Sequence, residues 1–339
     1  MIPQEIINSL SIAEKEELLF FLKKDLKILP KLAELKSNIN KEQLLICPHC
    51  KSDDIYGHGE YKGRKRYKCK SCQKTFNDYT GTAISGIKKT EKFQEYIELV
   101  VESVTIRKAV KIIGVNIKTI FDWRHKLLSS LNMINGQTFS GIVECDDKQL
   151  DISEKGNKRL SRKSYKRSSD RKTKRGVSND KVSVIVATDR NGNSTMKIAK
   201  IGRIDTESIE KIIGNIITKE NVLCSDSHPS IISWAKDKKI EHHTFVASKQ
   251  HVKDKCYHVQ HVNSLDNLYE RWVKMFYGVA TKYLNHYLNW FVFLEKMKKS
   301  INPINDLAKI VVSNIGTINN YQKIEMRYMK LINPHYYKT

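Results

Sequence analysis

No apolar stretch in the 339-residue chain reaches the roughly 18 residues that a membrane-spanning helix needs. The start, Met1-Ile2-Pro3-Gln4-Glu5, has neither the basic opening nor the apolar core of a signal peptide. A cytoplasmic protein is expected. Acidic residues are in short supply: 37 Asp and Glu stand against 60 Lys and Arg, a net charge of +23. That balance favours a polyanionic partner. Lys, Ile and Asn are abundant, so compositional bias explains part of the excess. It does not explain the clustering, because ten Lys or Arg and one Asp fall between Lys158 and Arg175. No internal repeat is evident. Cysteine is scarce as well, with seven in all, which fits a reducing compartment.

Four of the seven fall in two tight pairs, Cys47-Pro48-His49-Cys50 and Cys69-Lys70-Ser71-Cys72, separated by 18 residues. Each pair can sit on a turn and aim two thiolates at one point. Four soft ligands at this spacing predict a tetrahedral, structural Zn²⁺ site, with Cys47, Cys50, Cys69 and Cys72 as its ligands. The intervening segment holds Tyr56-Gly57-His58-Gly59 and the run Lys62-Gly63-Arg64-Lys65-Arg66-Tyr67-Lys68. Arg64, Lys65 and Arg66 are candidate phosphate contacts. Cys145 and Cys224 fall in predicted strands and read as small core residues.

Residues 5–37 carry a helical apolar stripe through Ile6, Ile7, Leu10, Leu18, Leu19, Phe21 and Leu22. Ser11 and Glu14 have the spacing of a capping box that opens a second helix. A helical segment over 1–43 and a ribbon over 44–80 follow from this. Residues 88–135 then read as a helix-turn-helix. Gly114 breaks one helix, Val115 and Ile117 bridge the turn, and Ile120, Trp123 and Leu127 repeat on one face of the next. Lys118, Thr119, Asp122 and Lys126 would face outward as in a groove-reading helix, and Arg124 joins Lys118, Thr119 and Lys126 as a candidate DNA contact. An ordinary helical hairpin has the same pattern.

From Gly141 onward the pattern is mixed α/β. Strands are predicted at Ile142–Asp146, Lys181–Thr188, Ser194–Ala199 and Val222–Ser225, and near His243–Val246. Asp205 caps a helix whose apolar face is Ile209, Ile212, Ile213, Ile216 and Ile217. A short helix follows around Ile231–Asp237, and a long one starts near Ser264. Three strands, helix, strand, helix, strand and long helix is the RNase-H-like order. It predicts a catalytic domain over 140–300, with a basic, serine-rich insertion at 154–178 and a C-terminal tail at 301–339. Overall the fold class is α+β and multidomain.

Asp146 on the first strand and Asp226 ending the fourth are 80 residues apart, yet this sheet makes their strands neighbours. Two carboxylates at one sheet edge suit Mg²⁺ or Mn²⁺, which prefer oxygen ligands. In phosphoryl transfer one such ion activates the attacking oxygen and a second stabilises the leaving oxygen. A third ligand is expected from the long helix, where Asn263, Asp266 and Glu270 share a face opposite Leu265, Leu268 and Trp272. His258 and His261 read as polar or substrate-side groups rather than ligands of such an ion.

These motifs together resemble bacterial insertion-sequence transposases of the zinc-ribbon DDE class (ISXO-like type), over about residues 5–300. The resemblance runs through the cysteine pairs with Thr75-Phe76 and Thr80-Gly81-Thr82, then Thr119–Leu128 with its Trp123-Arg124-His125-Lys126. It continues through Val143-Glu144-Cys145-Asp146-Asp147 and Cys224-Ser225-Asp226-Ser227. It ends in Val262-Asn263-Ser264-Leu265, Gly278–Leu284 and Tyr287-Leu288. It implies an enzyme that binds the inverted-repeat ends of its element and performs divalent-metal strand cleavage and strand transfer. It further implies double-stranded DNA as partner, at element ends and target, a homo-oligomer on that DNA, and a place at the bacterial nucleoid. In the family the third ligand can be Asn, which makes Asn263 the first choice; ligand chemistry alone prefers Asp266, which stands close behind. Two positions depart from the pattern. Asp147 stands where a Glu often follows the first Asp, and Glu270, with Arg271 beside it, stands where a Lys is common. A DNA-binding regulator without catalysis and a nuclease on the same core are the other functions this sequence allows.

Overall fold

The computed structural model describes residues 4–12, 14–15, 18, 22, 32–42, 45–132, 138–158, 160, 181–246, 252–254 and 256–333. Most of the basic insertion at 154–178 lies outside the described residues. The chain divides into two compact units, residues 1–130 with 297–322, and residues 131–296 with 323–339.

In the first unit, helix α1 (Gln4–Ser9) is followed by the expected capping box. The Ser11 backbone N–H donates to Glu14 Oε2 at 2.8 Å, and the Glu14 N–H donates to Ser11 Oγ at 3.3 Å. Helix α2 (Leu32–Glu42) runs beyond the expected end at residue 37. Three antiparallel strands follow, β1 (Ile55–Tyr61), β2 (Arg64–Cys69) and β3 (Thr75–Asn77), in the order β1-β2-β3. Phe76 and the buried Cys47 and Cys69 form their small core.

Helices α3 (Thr90–Val101), α4 (Ile106–Ile113) and α5 (Ile117–Ser130) come next. Gly114 ends α4 at φ 69°, a left-handed conformation that glycine adopts without a Cβ penalty. Lys92 Nζ then donates to the Ile113 carbonyl at 2.9 Å. Ile120, Trp123 and Leu127 are buried as their spacing requires, and Trp123 meets Phe93 edge-on at 5.4 Å.

One expected DNA contact is corrected here. Arg124 is completely buried: its Nε donates to the Tyr96 hydroxyl and its Nη2 to the Val104 carbonyl, both at 2.5 Å. Position 124 is one residue past Trp123, so it turns with the apolar face toward α3 rather than outward. Lys118 is exposed, Thr119 and Lys126 are half-exposed, and Lys126 pairs with Asp122 at 3.2 Å.

The segment read as a C-terminal tail is also corrected. It forms helices at Pro303–Ser313, Thr317–Gln322 and Ile324–Ile332, and the first two belong to the first unit. Leu307, Ala308, Val311 and Val312 recur at helical spacing and are all buried, which a solvated tail would not allow.

The second unit is built on a five-stranded sheet: β4 (Ile142–Asp151), β5 (Lys181–Asp189), β6 (Ser194–Ile201), β7 (Val222–Asp226) and β8 (Glu241–Phe245). Their order is β6-β5-β4-β7-β8. The first three strands are antiparallel, while β7 and β8 run parallel to β4. This is the RNase-H-like sheet. The β5–β6 hairpin turns on Asp189, whose side chain accepts from the Asn191 and Asn193 backbone N–H groups at 3.0 and 2.9 Å. Helix α6 (Thr206–Ile213) carries the Asp205 cap, completed by Ser208, and precedes α7 (Pro229–Asp237). These two pack with Val143, Cys145, Ile185 and Ala187 on one face of the sheet. After a two-stranded ribbon of β9 (Val252–Lys253) and β10 (Tyr257–His258), α8 (Gln260–Lys274) and α9 (Leu284–Met297) cover the other face. No helix among the described residues is long and apolar enough to cross a membrane.

Burial gives Arg124 a structural role that can be tested. Arg124→Ala should destabilise the protein by about 2–4 kcal/mol, through lost packing and two stranded acceptors. Thermal unfolding checks this, and an unchanged Tm with weaker DNA binding would return Arg124 to the surface role.

Candidate active site

Alternation along β4 divides its residues cleanly. Val143 and Cys145 enter one core, so Glu144, Asp146 and Lys148 face the α8 side. β7 lies beside β4 with Cys145 in register with Ser225, which sets Asp146 next to Asp226. Carboxylate oxygens of Asp146, Asp147 and Asp226 lie within 4.8 Å of one another. Hydrogen bonds hold the group in place. The Asp147 N–H donates to Asp146 Oδ1 at 2.8 Å, the His228 N–H to Asp226 Oδ1 at 3.1 Å, and Gln149 Nε2 to Asp147 Oδ2 at 2.7 Å.

Burial, and then the charge of Asp226, push the Asp146 carboxyl up to about 7. Asp226 is raised by burial and by Asp147. Asp266, on α8, is raised to about 6 by burial, with Glu270 and Asp147 adding to the rise and Lys148 opposing it. Asp266 is also among the charges that raise Asp146. Four carboxyls thus repel one another in a partly dry site, which is the electrostatic signature of a cation pocket.

The two candidates for the third position differ in setting. Asp266 is largely buried, with a side-chain exposure of 14%. Asn263, one turn earlier on α8, is exposed. Glu270 donates nothing to the cluster. Its carboxylate accepts from Lys148 Nζ at 2.8 Å, and the same ammonium lies 3.9 Å from Asp266. The cation beside the cluster therefore comes from β4.

The residue least visible in the sequence is Glu144. It is 1% exposed, two residues before Asp146 on the same face. Its Oε2 accepts the backbone N–H groups of His261 and Val262 at 2.7 and 3.0 Å. These are first-turn donors of α8, whose own N-cap, Val259, provides no side-chain acceptor. That interaction explains why α8 begins at Gln260 rather than near Ser264. Glu144 Oε1 pairs with Arg190 Nη1 at 2.8 Å, with His261 Nδ1 at 2.7 Å and with His258 Nδ1 at 3.3 Å. Glu144, His258 and His261 are close enough to ligate a metal, but the Arg190 guanidinium already provides the positive charge there. The available signal was the strand period, which puts 144 and 146 on one face.

In the first unit the four cysteine Sγ atoms also lie within 4.8 Å of one another. Cys47 and Cys72 are 3.7 Å apart, and Cys50 and Cys69 are 3.5 Å apart. A tetrahedral ion with metal–sulfur bonds of about 2.3 Å spaces its sulfurs about 3.8 Å apart. The two turns match: Lys51 N–H donates to the Cys47 carbonyl at 2.9 Å, and Gln73 N–H to the Cys69 carbonyl at 3.0 Å. Lys51 and Gln73 both adopt positive φ, 69° and 59°. The backbone N–H of Cys72 holds the Cys69 thiol below its ordinary range. The donor set and spacing fit a metal. Of the basic ribbon residues, Lys65 is exposed and Arg66 half-exposed. Arg64 lies over the Tyr79 ring at 4.6 Å and donates to Thr90 Oγ1 at 3.3 Å.

The raised Asp146 value sets a pH dependence. A carboxyl whose folded pKa lies above its unfolded value costs nothing when both states are protonated, and costs most once the folded group must ionise. Without divalent cations, stability should therefore fall as pH rises from about 4 through about 7. Asp146→Asn, neutral throughout, should raise stability by roughly 1–3 kcal/mol near pH 8 and leave it unchanged near pH 4. Thermal melts at the two pH values check this, and a loss of stability at pH 8 would show that the carboxylates do not repel.

Comparison with known proteins agrees with this geometry. Residues 138–295 match the family model described as the ISXO2-like transposase domain. A protein of Halobacterium salinarum, described as an uncharacterized protein in transposable element ISH50, is 24% identical over 283 residues, covering 81% of this chain and 95% of that protein. A pre-cleavage Mos1 transpososome is 9% identical and matches 88% of this chain and 97% of its own, with a TM-score of 0.20. A Mos1 transposase paired-end complex with the left transposon end is 10% identical, with coverages of 88% and 99% and a TM-score of 0.23. Those two scores are too low to bear on the fold. Residues 138–295 are thus similar to an ISXO2-like transposase domain, and together with the transposable-element relative this supports an insertion-sequence transposase.

Proposed function

We propose that this transposase cleaves DNA strands at the inverted-repeat ends of its own element and joins the freed 3′-OH ends to target DNA. The observation that carries the reading is the packing of Asp146, Asp147 and Asp226 within 4.8 Å, in a domain of transposase family. Asp146 and Asp226 would hold Mg²⁺ or Mn²⁺. Of the two candidates for a third ligand, the partly buried Asp266 is favoured over the exposed Asn263. Such an ion, once bound, supplies activation of the attacking oxygen and neutralisation of the leaving one. The protein's own part is to hold the carboxylates fixed through their backbone donors, and to keep Lys148 against Glu270 and Asp266 so that the pocket keeps its shape.

Zn²⁺ is the ion proposed for Cys47, Cys50, Cys69 and Cys72, in a structural role. Lys65, Arg66, Lys118 and Thr119 are the proposed contacts to element ends; the half-exposed Lys126 contributes once it exchanges Asp122 for a phosphate. The two ends of one element call for more than one copy of the chain on the DNA.

The test is a cleavage assay with Mg²⁺ on duplexes that carry the DNA flanking this reading frame. Asp146→Asn and Asp226→Asn should lose cleavage by orders of magnitude while still binding the ends, since each keeps its size and loses a cation-holding charge. Asp266→Ala should lose more than Asn263→Ala. Undiminished cleavage in Asp146→Asn would sink the proposal, and cleavage without rejoining of a 3′-OH would make the protein a nuclease. Metal analysis tests the cysteine site separately. One Zn²⁺ per chain is expected, lost in Cys69→Ser; purified protein free of zinc would contradict it.

A further inference from the structure

A cavity of about 650 Å³ lies along β6, the edge strand of the sheet, within the second unit. Six cations line it: Lys197 and Lys200 from β6, Lys211 from α6, Lys282, and Arg327 and Lys330 from the helix Ile324–Ile332. Among the described residues two carboxylates do, Asp205 and Glu207. Asp205 is already engaged, since it pairs with Lys200 and caps α6. Lys282 has its own partner in Glu325 at 3.1 Å.

Lys197 is in a different position. It is half-buried, and burial alone pulls its ammonium below the ordinary lysine range. Among the described residues no carboxylate pairs with it. His286, also lining the cavity, is 2% exposed; burial, and then the charge of Arg327, push its ring down to about 3, so it adds no charge. A desolvated cation without a counter-ion costs free energy that a bound anion returns. Thr281, Asn285 and Asn289 add hydroxyl and amide groups to the walls. Several converging cations with neutral donors suit an oxyanion of multiple oxygens better than a single carboxylate.

The strand register relates this cavity to the carboxylate cluster. Asp146 pairs with Val186 and Val186 with Met196 on the α8 side, whereas Lys197, one residue on, pairs with Ile185 and turns to the other face of β6. Two strand spacings, about 10 Å, separate the two strands.

We infer that the cavity along β6 is a phosphate site, centred on Lys197 with Lys211 beside it, which engages the DNA backbone outside the carboxylate cluster. The DNA part rests on the transposase reading; the phosphate chemistry does not. The experiment compares the full chain with Lys197→Met and with Lys197→Met/Lys211→Gln. One arm measures thermal stability with and without inorganic phosphate. The other measures binding of a short duplex of unrelated sequence across a range of salt.

Phosphate should raise the wild-type Tm and leave Lys197→Met unmoved. Without phosphate, Lys197→Met should melt at or above the wild-type temperature, because a desolvated ammonium has been removed. The double variant should bind the duplex more weakly, with a salt slope shallower by about two. A lost phosphate response with an unchanged slope would identify a free phosphate as the ligand and overturn the DNA assignment. Variants that match wild type in both arms would overturn the site altogether and leave the transposase reading intact. A wild type that binds no duplex would remove that reading instead, and the phosphate arm would then decide the cavity.

Discussion

The bond between Glu144 and the first turn of α8 holds the second unit's chemistry together. One buried carboxylate takes the two N–H groups that the helix cannot satisfy itself. Charge-assisted bonds of this kind contribute about 1.5–3 kcal/mol each, and a negative charge at a helix N-terminus adds to them. The consequence is geometric. Glu144 lies two residues from Asp146 on the same face of β4, and Asp266 lies between one and two turns into α8. Fixing the start of the helix to the strand therefore fixes where Asp266 stands relative to Asp146. Arg190, anchored on the Cys256 carbonyl at 2.9 Å, balances the charge of Glu144.

Compensation of charge is uneven across the unit, and the unevenness is informative. Glu144 has Arg190, and Glu270 has Lys148, so those acids rest in paired states. Among the described residues, Asp146, Asp147 and Asp226 have only backbone and amide donors between them. Along β6 the imbalance reverses, and cations outnumber acids. A fold of marginal stability does not keep like charges together without return. The acidic cluster is suited to a metal cation, and the basic cavity to phosphate.

Much of this was legible in the sequence because it rests on short-range rules. The cysteine pairs declare a metal site through spacing alone. Strand and helix periods located the sheet, the Asp205 cap, and the placement of Asp146 beside Asp226. Arg124 was misplaced because helical position alone does not say how wide a buried face is, and α3 extends that face by one residue. Glu144 lay within a recognised motif, but its partner is the backbone of a helix 117 residues away, which no local pattern encodes. The same tertiary contact shifted the start of α8. The helices after residue 301 were missed because their apolar faces make sense only against partners far back in the chain.

Divalent-cation binding is the most direct measure of the central claim, that the sheet and α8 assemble one oxygen-ligand site. Mn²⁺ can be titrated into zinc-loaded protein and followed by electron paramagnetic resonance, comparing wild type with Asp226→Asn and Asp266→Asn. The account predicts a bound Mn²⁺ in wild type whose affinity drops by at least about tenfold in each variant, since each removes one anionic oxygen ligand. Equal Mn²⁺ affinity in all three proteins would contradict it.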